Sequence, residues 1–252
     1  MIKLLLIFTS FFFAGAVSIA QQGNWYAAAK AGLSIREKPS ATAKILDKVP
    51  YGDKVTAILI DTFPSSKIST EGFNGHWQKI KYKDKEGYVV DSYLLPEPAP
   101  KATAKTLKDY LSQLSSEAGA PVEMKKIYSE EMSSTLKKQL FKNGMEVHEF
   151  TGYEYNSETI FLPDFTLEQG YLLLRLLKVF PLVIGDNDPF PAKNSKKAIQ
   201  NGERTITVEK KNYGSAEPVT EKITYEWEDG ANYELQLYML DNQLVIFSSG
   251  GV

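Results

Sequence analysis

Apolar and polar residues alternate in short runs along most of the chain, which is the pattern of half-buried β-strands. The first series of runs extends from Trp25 to about Leu95, and turn residues separate its members. A second series begins near residue 125 and continues to the last residues of the chain. Aromatic residues suit a pleated, half-buried surface, and they make up 12% of the sequence. The pattern therefore predicts a mainly β protein with two domains.

One segment between the two series departs from this alternation. Leu107, Tyr110, Leu111 and Leu114 follow the spacing of a single face of an α-helix. We expect this helix to end near Gly119, because glycine commonly terminates helices.

A second predicted helix is apolar almost all round. Thr166 and Gln169 form a capping-box pattern at its start, and Pro181 closes it. Residues 167–177 offer only a narrow polar stripe, so this helix must be covered on most sides. Three of its leucines are expected to be buried: Leu173, Leu174 and Leu177.

Strand signals flank the second helix on both sides. Asn143-Gly144 predicts a tight hairpin, and a further strand is expected over residues 157–162. The last part of the chain predicts an antiparallel meander with strands at 204–211, 222–228, 231–240 and 243–248. We expect residues 185–201 to form a mobile polar loop and residues 248–251 to form a frayed tail. These signals predict an α+β domain, in which one antiparallel sheet packs against one main buried helix.

The N-terminus has the pattern of a secretory signal peptide. Lys3 gives a short basic start, residues 4–17 carry no charge, and Ser18-Ile19-Ala20 places small residues before a cleavage point. The apolar run is shorter than the roughly 20 residues that span a bilayer. We therefore expect cleavage after Ala20 and a secreted or periplasmic protein without a further transmembrane segment. A retained N-terminal anchor is the alternative.

A proline-rich stretch separates the two series of strands. Residues 96–100 contain three prolines, which cannot donate to a sheet and favour extended backbone. We place a signal peptide at 1–20, a first domain at 21–95, a linker at 96–104 and the α+β domain at 105–252. The linker is expected to be exposed.

Four short motifs in the first domain occur in a characteristic order. Leu33-Ser34-Ile35-Arg36-Glu37-Lys38-Pro39 comes first, and Tyr51-Gly52-Asp53-Lys54-Val55 follows. The third is Gly75-His76-Trp77-Gln78-Lys79-Ile80, and the last is Gly87-Tyr88-Val89 with Tyr93-Leu94. Together they resemble the bacterial SH3-like (SH3b) domain, and residues 61–74 are longer than its usual connection. The resemblance implies a small SH3-like β-barrel that acts as an accessory module and recognises cell-wall peptide or glycan.

Few residues are available for catalysis or metal binding. The chain has no cysteine, and its two histidines, His76 and His148, fall in different predicted domains. No serine-nucleophile motif, phosphate-binding loop or dinucleotide fingerprint is present. We therefore expect no metal, no cofactor and no enzymatic activity. The formal net charge is −2, which gives little support to nucleic-acid binding.

Trp77 is the sharpest candidate for ligand binding. Side chains alternate along a strand, so Trp77 shares its face with Lys79 and Lys81. A half-exposed indole beside cations suits stacking on a sugar or a peptide that bears a carboxylate. Three further aromatic residues are candidates for the same groove: Tyr51, Phe63 and Phe73. The alternative is that Trp77 closes one end of the barrel or packs on residues 61–74.

Three classes of function remain at this point. The first is a non-catalytic exported protein that recognises peptidoglycan peptide or glycan, or an envelope protein, through the SH3b domain. The second is an adaptor or inhibitor that docks a partner on a sheet edge of the C-terminal domain. The third is a hydrolase that uses carboxylates of residues 105–252.

The signal pattern leads to a direct test of export. N-terminal mass spectrometry of the protein from its native host should show a mature chain that begins at Gln21, because the small residues at positions 18 and 20 define the cleavage point. An intact Met1 on a membrane-embedded product would contradict this prediction.

Overall fold

The computed structural model describes residues 23–58, 67–70, 72–128, 133–200, 202–212 and 218–251. The predicted signal peptide and the candidate residue Phe63 lie outside these ranges. Two antiparallel sheets account for most of the described residues, and two α-helices accompany them. The expected mainly β architecture is confirmed.

The N-terminal sheet is a barrel-like arrangement of short strands. Its strands are β1 (Asn24–Ala27), β2 (Leu33–Arg36), β3 (Ile45–Val49), β4 (Lys54–Ala57), β5 (Lys67–Thr70), β6 (Phe73–Tyr82), β7 (Lys85–Val90) and β8 (Leu94–Leu95). They pair in the order β3-β2-β7-β6-β4-β1-β8, and β5 pairs with the first half of β6. The core of this barrel includes Ile35, Val49, Ile80 and Val89, all with exposures of 0%.

The sequence motif that opens the barrel has a local structural role. Arg36 ends β2, and its guanidinium donates a hydrogen bond of 2.7 Å to the carbonyl oxygen of Ala43. This bond closes the turn between β2 and β3, where the chain must reverse over a proline-containing segment.

The C-terminal sheet has nine strands. They are β9 (Val122–Tyr128), β10 (Ser133–Leu140), β11 (Glu146–Thr151), β12 (Tyr155–Pro163), β13 (Ser195–Ile199), β14 (Gly202–Lys211), β15 (Val219–Glu228), β16 (Asn232–Leu240) and β17 (Gln243–Gly251). Their order is β13-β14-β15-β16-β17-β12-β11-β10-β9, so two meanders meet where β17 pairs with β12. The Asn143-Gly144 hairpin is confirmed between β10 and β11, and Gly144 takes a φ of +85° that favours glycine.

Helix α2 (Leu167–Leu177) is the main helix of the C-terminal domain, and it packs on β16 and β17. Both hydrogen bonds of the expected capping box between Thr166 and Gln169 are present. Gly170 allows close approach to the sheet, because an added Cβ would lie 2.2 Å from Leu244 Cδ2. The predicted burial is confirmed for all three leucines: Leu173, Leu174 and Leu177.

The shorter helix α1 (Leu107–Leu114) also forms where the spacing predicts it, but it ends at Leu114 and not near Gly119. Thr106 and Asp109 supply a complete capping box at its start. Leu107, Tyr110 and Leu111 are buried, and Leu114 packs against the same core.

Two expectations about the C-terminal domain are wrong. The segment 185–201, expected to be a mobile loop, contains strand β13, which pairs with β14 from Ser195 to Ile199. The segment 248–251, expected to be a frayed tail, lies within β17 and pairs with both β12 and β16. In both cases a neighbouring strand supplies backbone partners that local polar composition does not reveal.

Part of the N-terminal region is shared with the hydrophobic core of the C-terminal domain. Ala28, Phe73 and Leu95 from the N-terminal region belong to the same buried cluster as the C-terminal helices and strands. Phe73 is 0% exposed, and its ring centroid lies 5.8 Å from that of Tyr171 and 5.9 Å from that of Phe190. The first half of β6 therefore packs directly into the second domain.

The proline-rich linker is not the exposed joint that its composition suggests. Ala99 and Pro100 are buried, and Ala104 is 6% exposed. Tyr51 donates a hydrogen bond of 2.8 Å from its hydroxyl to the carbonyl oxygen of Pro100. Burial raises the pKa of this phenol to about 12, so the donor stays protonated at physiological pH. Prolines prevent sheet pairing, but they do not prevent packing against a core.

Within the part of the chain that the structure describes, the helices are all too short or too polar to cross a membrane.

The shared core predicts a specific response to mutation. Phe73→Ala should lower the free energy of unfolding by about 3–5 kcal/mol, because it removes a fully buried ring from between the two domains. Denaturant unfolding of the mature chain, followed by tryptophan fluorescence and by circular dichroism, measures this loss. Tyr153→Ala is the control, since that ring is 72% exposed.

The same experiment tests whether the domains unfold together. We expect the two probes to report one coincident transition in the wild-type chain. Two well-separated transitions, or a loss below about 1 kcal/mol for Phe73→Ala, would show that the junction contributes little to stability.

Candidate functional site

The three predicted aromatic residues that the structure describes, Tyr51, Phe73 and Trp77, do not form an exposed groove. Trp77 is 8% exposed and Phe73 is 0% exposed, so the expected partial exposure is wrong for both. Tyr51 is half-buried and fastens the linker. Phe63 lies outside the described residues.

The two lysines of the predicted site do lie on the wetter part of β6. Lys79 Nζ lies 3.4 Å from Glu86 Oε2, and Lys81 is exposed. The strand register places Trp77, Lys79 and Lys81 opposite Val90, Tyr88 and Glu86, as alternation requires. The expected face is therefore right, but the environment changes along the strand. On this face of β6, Phe73 and Trp77 are buried, whereas Lys79 and Lys81 are more accessible to water.

A cleft of about 600 Å³ lies at the seam between the barrel and the start of α2. We call it the seam cleft. Both domains contribute to its lining: Trp25, Ile68, Ser69, Asn74, Gly75, His76, Gln78, Asp91, Ser92, Leu94, Thr166, Glu168 and Gln169. None of the five predicted site residues that the structure describes is among them.

Asp91 and His76 form the polar centre of the seam cleft. The backbone N–H of His76 donates to Asp91 Oδ1 over 2.7 Å, and the imidazole Nδ1 lies 3.6 Å from Oδ2. Gly75 makes this approach possible, because an added Cβ would lie 2.5 Å from Asp91 Oδ1. Burial raises the pKa of Asp91, and the hydrogen bond and charge of His76 offset part of that rise.

Ser92 supplies a hydroxyl that has no partner within the described structure. The residue is 7% exposed, and its Oγ makes no hydrogen bond. Buried polar atoms are nearly always hydrogen-bonded, so an unpaired one that lines a cleft marks a place where a ligand atom or water can bind.

The helix side of the seam cleft is fixed to the barrel. Gln169 is 6% exposed, and its Nε2 donates to the carbonyl oxygen of Leu94 over 2.9 Å. The other atom of the same amide, Oε1, accepts from the backbone N–H of Thr166 over 2.9 Å. Through these two hydrogen bonds, Gln169 holds the first turn of α2 beside the barrel. Glu168 lies in the same turn and is held there with it.

Trp25 and Gln78 complete the barrel side. Trp25 lies on β1, packs partly on the barrel core and remains half-buried. The Nε2 of Gln78 donates to the carbonyl oxygens of Ile58 and Lys79 over 2.9 and 2.8 Å. Trp25 was not among the predicted site residues, although an indole at the start of the first strand is a visible signal.

The seam cleft offers several hydrogen-bonding groups. It combines two carboxylates, an imidazole, a free hydroxyl and an indole within one enclosure. Among the residues that the structure describes, no group of three or more potential ligands could hold a metal ion. This set of side chains suits a ligand that carries both hydrogen-bond donors and acceptors.

Residues 31–95 match the family model of the bacterial SH3 domain. The region that follows has no family assignment. Searches of curated proteins and of solved structures each found no match. The chain therefore contains a bacterial SH3 domain at residues 31–95, as the four sequence motifs indicate.

Proposed function

We propose that this protein is a non-catalytic, exported binding protein of the bacterial cell envelope. The observation that carries the proposal is the bacterial SH3 domain at residues 31–95, a module that is compatible with recognition of cell-wall components. The signal-peptide pattern of the first 20 residues supports the same compartment.

The seam cleft is the site where we place the ligand. Ser92 offers a free hydroxyl, Asp91 and Glu168 offer carboxylates, and Trp25 offers part of an indole ring. Peptidoglycan peptides and glycans carry amide and hydroxyl groups in close succession, and this set of side chains can pair with both. Phe73 and Trp77 do not contact the ligand in this proposal, because both side chains are buried.

A second candidate function rests on the edge of the C-terminal sheet. β9 is the terminal strand of the nine-stranded order, and it exposes Val122 by 61% and Met124 by 52%. An exposed edge with apolar side chains can accept a strand from another protein. This arrangement favours the adaptor hypothesis over the hydrolase as the alternative.

Ser92→Ala provides the sharpest test of the seam cleft. The mature chain, residues 21–252, should co-sediment with purified sacculi, and Ser92→Ala should weaken this binding about fivefold, which corresponds to one lost hydrogen bond of about 1 kcal/mol. The melting temperature should stay level or rise, because the hydroxyl has no partner within the described structure.

Two controls make the result interpretable. Ser112→Ala removes a serine hydroxyl from an exposed position on α1 and should leave binding unchanged. Wild-type chain that fails to sediment with sacculi would overturn the envelope proposal and move the edge-strand adaptor ahead. Full binding by a stably folded Ser92→Ala variant would exclude the seam cleft.

A further inference from the structure

A second cleft, of about 970 Å³, lies on the C-terminal sheet and shares no lining residue with the seam cleft. We call it the sheet cleft. It opens on the same face of the sheet that α2 covers, at the other end of the strands. Its lining comes from the loop after α2 and from six of the strands: Thr135, Lys137, Glu149, Phe150, Thr151, Tyr153, Glu154, Asn156, Ser157, Glu158, Phe180, Trp227, Ala231, Tyr233, Ser248, Ser249, Gly250 and Gly251.

The sheet cleft exists because the apolar pattern of two central strands stops. Ile160 pairs with Ile246, and both are buried in the core. At the next pair on the same face, towards the start of β12 and the end of β17, Glu158 lies opposite Ser248. The floor therefore changes from apolar to polar where the helix no longer covers it.

One side of the sheet cleft is a wall of aromatic rings. Trp227 and Tyr233 are cross-strand partners whose rings stack at 5.4 Å with an interplanar angle of 15°. Phe180 meets Trp227 edge-on at 6.4 Å and 75°. Gly250 lets Tyr233 lie close to the floor, because an added Cβ would be 2.7 Å from Tyr233 Cδ1.

The other side holds two glutamates, and one of them forms no ion pair with a described residue. Glu149 accepts a hydrogen bond of 2.7 Å from Lys108 Nζ and is therefore paired. Its cross-strand neighbour Glu158 forms neither a salt bridge nor a hydrogen bond through its carboxylate with any described residue. Burial raises the pKa of Glu158, Glu149 raises it further, and Lys108 offsets part of the rise. Lys108, which is already hydrogen-bonded to Glu149, compensates the charge of ionised Glu158 only in part.

We propose that the sheet cleft binds a primary ammonium group on an alkyl chain, such as a lysine side chain or a diamine. The ammonium pairs with Glu158, and the methylene chain lies along the wall formed by Phe180, Trp227 and Tyr233. The carboxylate supplies the opposite charge for the ammonium, and the aromatic rings supply an apolar surface on which the methylene groups can pack. β12 and β16 are two strands apart, about 10 Å, which a short alkyl chain and a glutamate side chain span together.

Titration of the mature chain with 1,5-diaminopentane, followed by amide chemical shifts, tests the proposal. The backbone amides of Ser248 and Gly250 should shift in a saturable way, because both lie in the floor. 1,5-Pentanediol, which has the same length and no charge, should leave them unchanged. A lysine-containing peptide and its Nε-acetylated form then distinguish a protein-borne amine from a free one.

Glu158→Gln should weaken diamine binding at least tenfold. The matched control is Glu226→Gln, because Glu226 is exposed and its register position lies on the opposite face of the same sheet. The Glu158→Gln chain should remain folded with an equal or higher melting temperature, since the change removes the charge of a half-buried carboxylate that forms no ion pair with a described residue. This readout separates loss of the site from loss of the fold.

Three outcomes would overturn the proposal. They are equal binding by Glu158→Gln, equal weakening by Glu226→Gln, and shifts with the diol as large as those with the diamine. The last result would identify a polyol site instead. Because the sheet cleft and the seam cleft share no residue, none of these outcomes depends on binding to sacculi.

Discussion

The burial of Phe73 between the barrel and the second domain is the contact on which the rest of the structure depends. Its ring packs on Tyr171 of α2 and on Phe190, so a residue of the SH3 domain completes the core of the domain that follows. Gln169 adds a direct hydrogen bond from the same helix to the barrel backbone at Leu94. Domains within one chain often meet through polar and mobile contacts, but here the interface is continuous with the core.

This contact determines what kind of binding site the SH3 domain can present. Phe73 and Trp77, on one face of β6, are covered and cannot contact a ligand directly. The seam cleft lies instead at the edge of this contact, where His76 and Asp91 line it together with the first turn of α2. A site made from both domains keeps its shape only while the relative position of the two domains is fixed. The shared core fixes that position. The second domain therefore contributes to the seam cleft in two ways: it supplies lining side chains, and it determines which part of the barrel surface stays open.

Local sequence signals predicted the elements well because their causes are local. The capping box of Thr166 and Gln169 and the Asn143-Gly144 turn act through neighbouring backbone, so both appear where the sequence places them. The exposure of Trp77 was predicted wrongly because alternation tells which side chains share a face, and it says nothing about what covers that face. The burial of Pro100 was missed for the same reason, since its hydrogen-bond partner Tyr51 is 49 positions away. The sites were the least predictable part, because each cleft is formed by residues distant in sequence.

The size of the second sheet explains why it offers clefts at all. Nine strands span about 38 Å across the sheet, whereas the 11 residues of α2 form a rod of about 16 Å. One helix cannot cover such a face, and α1 together with the barrel covers only part of the remainder. Where cover is missing, apolar residues would be exposed to water, and the chain places Glu158, Ser248 and Asn156 there instead. A break in the apolar alternation of a central strand is therefore informative. It locates the part of the sheet that is left open, and with it the side chains that are available to a ligand.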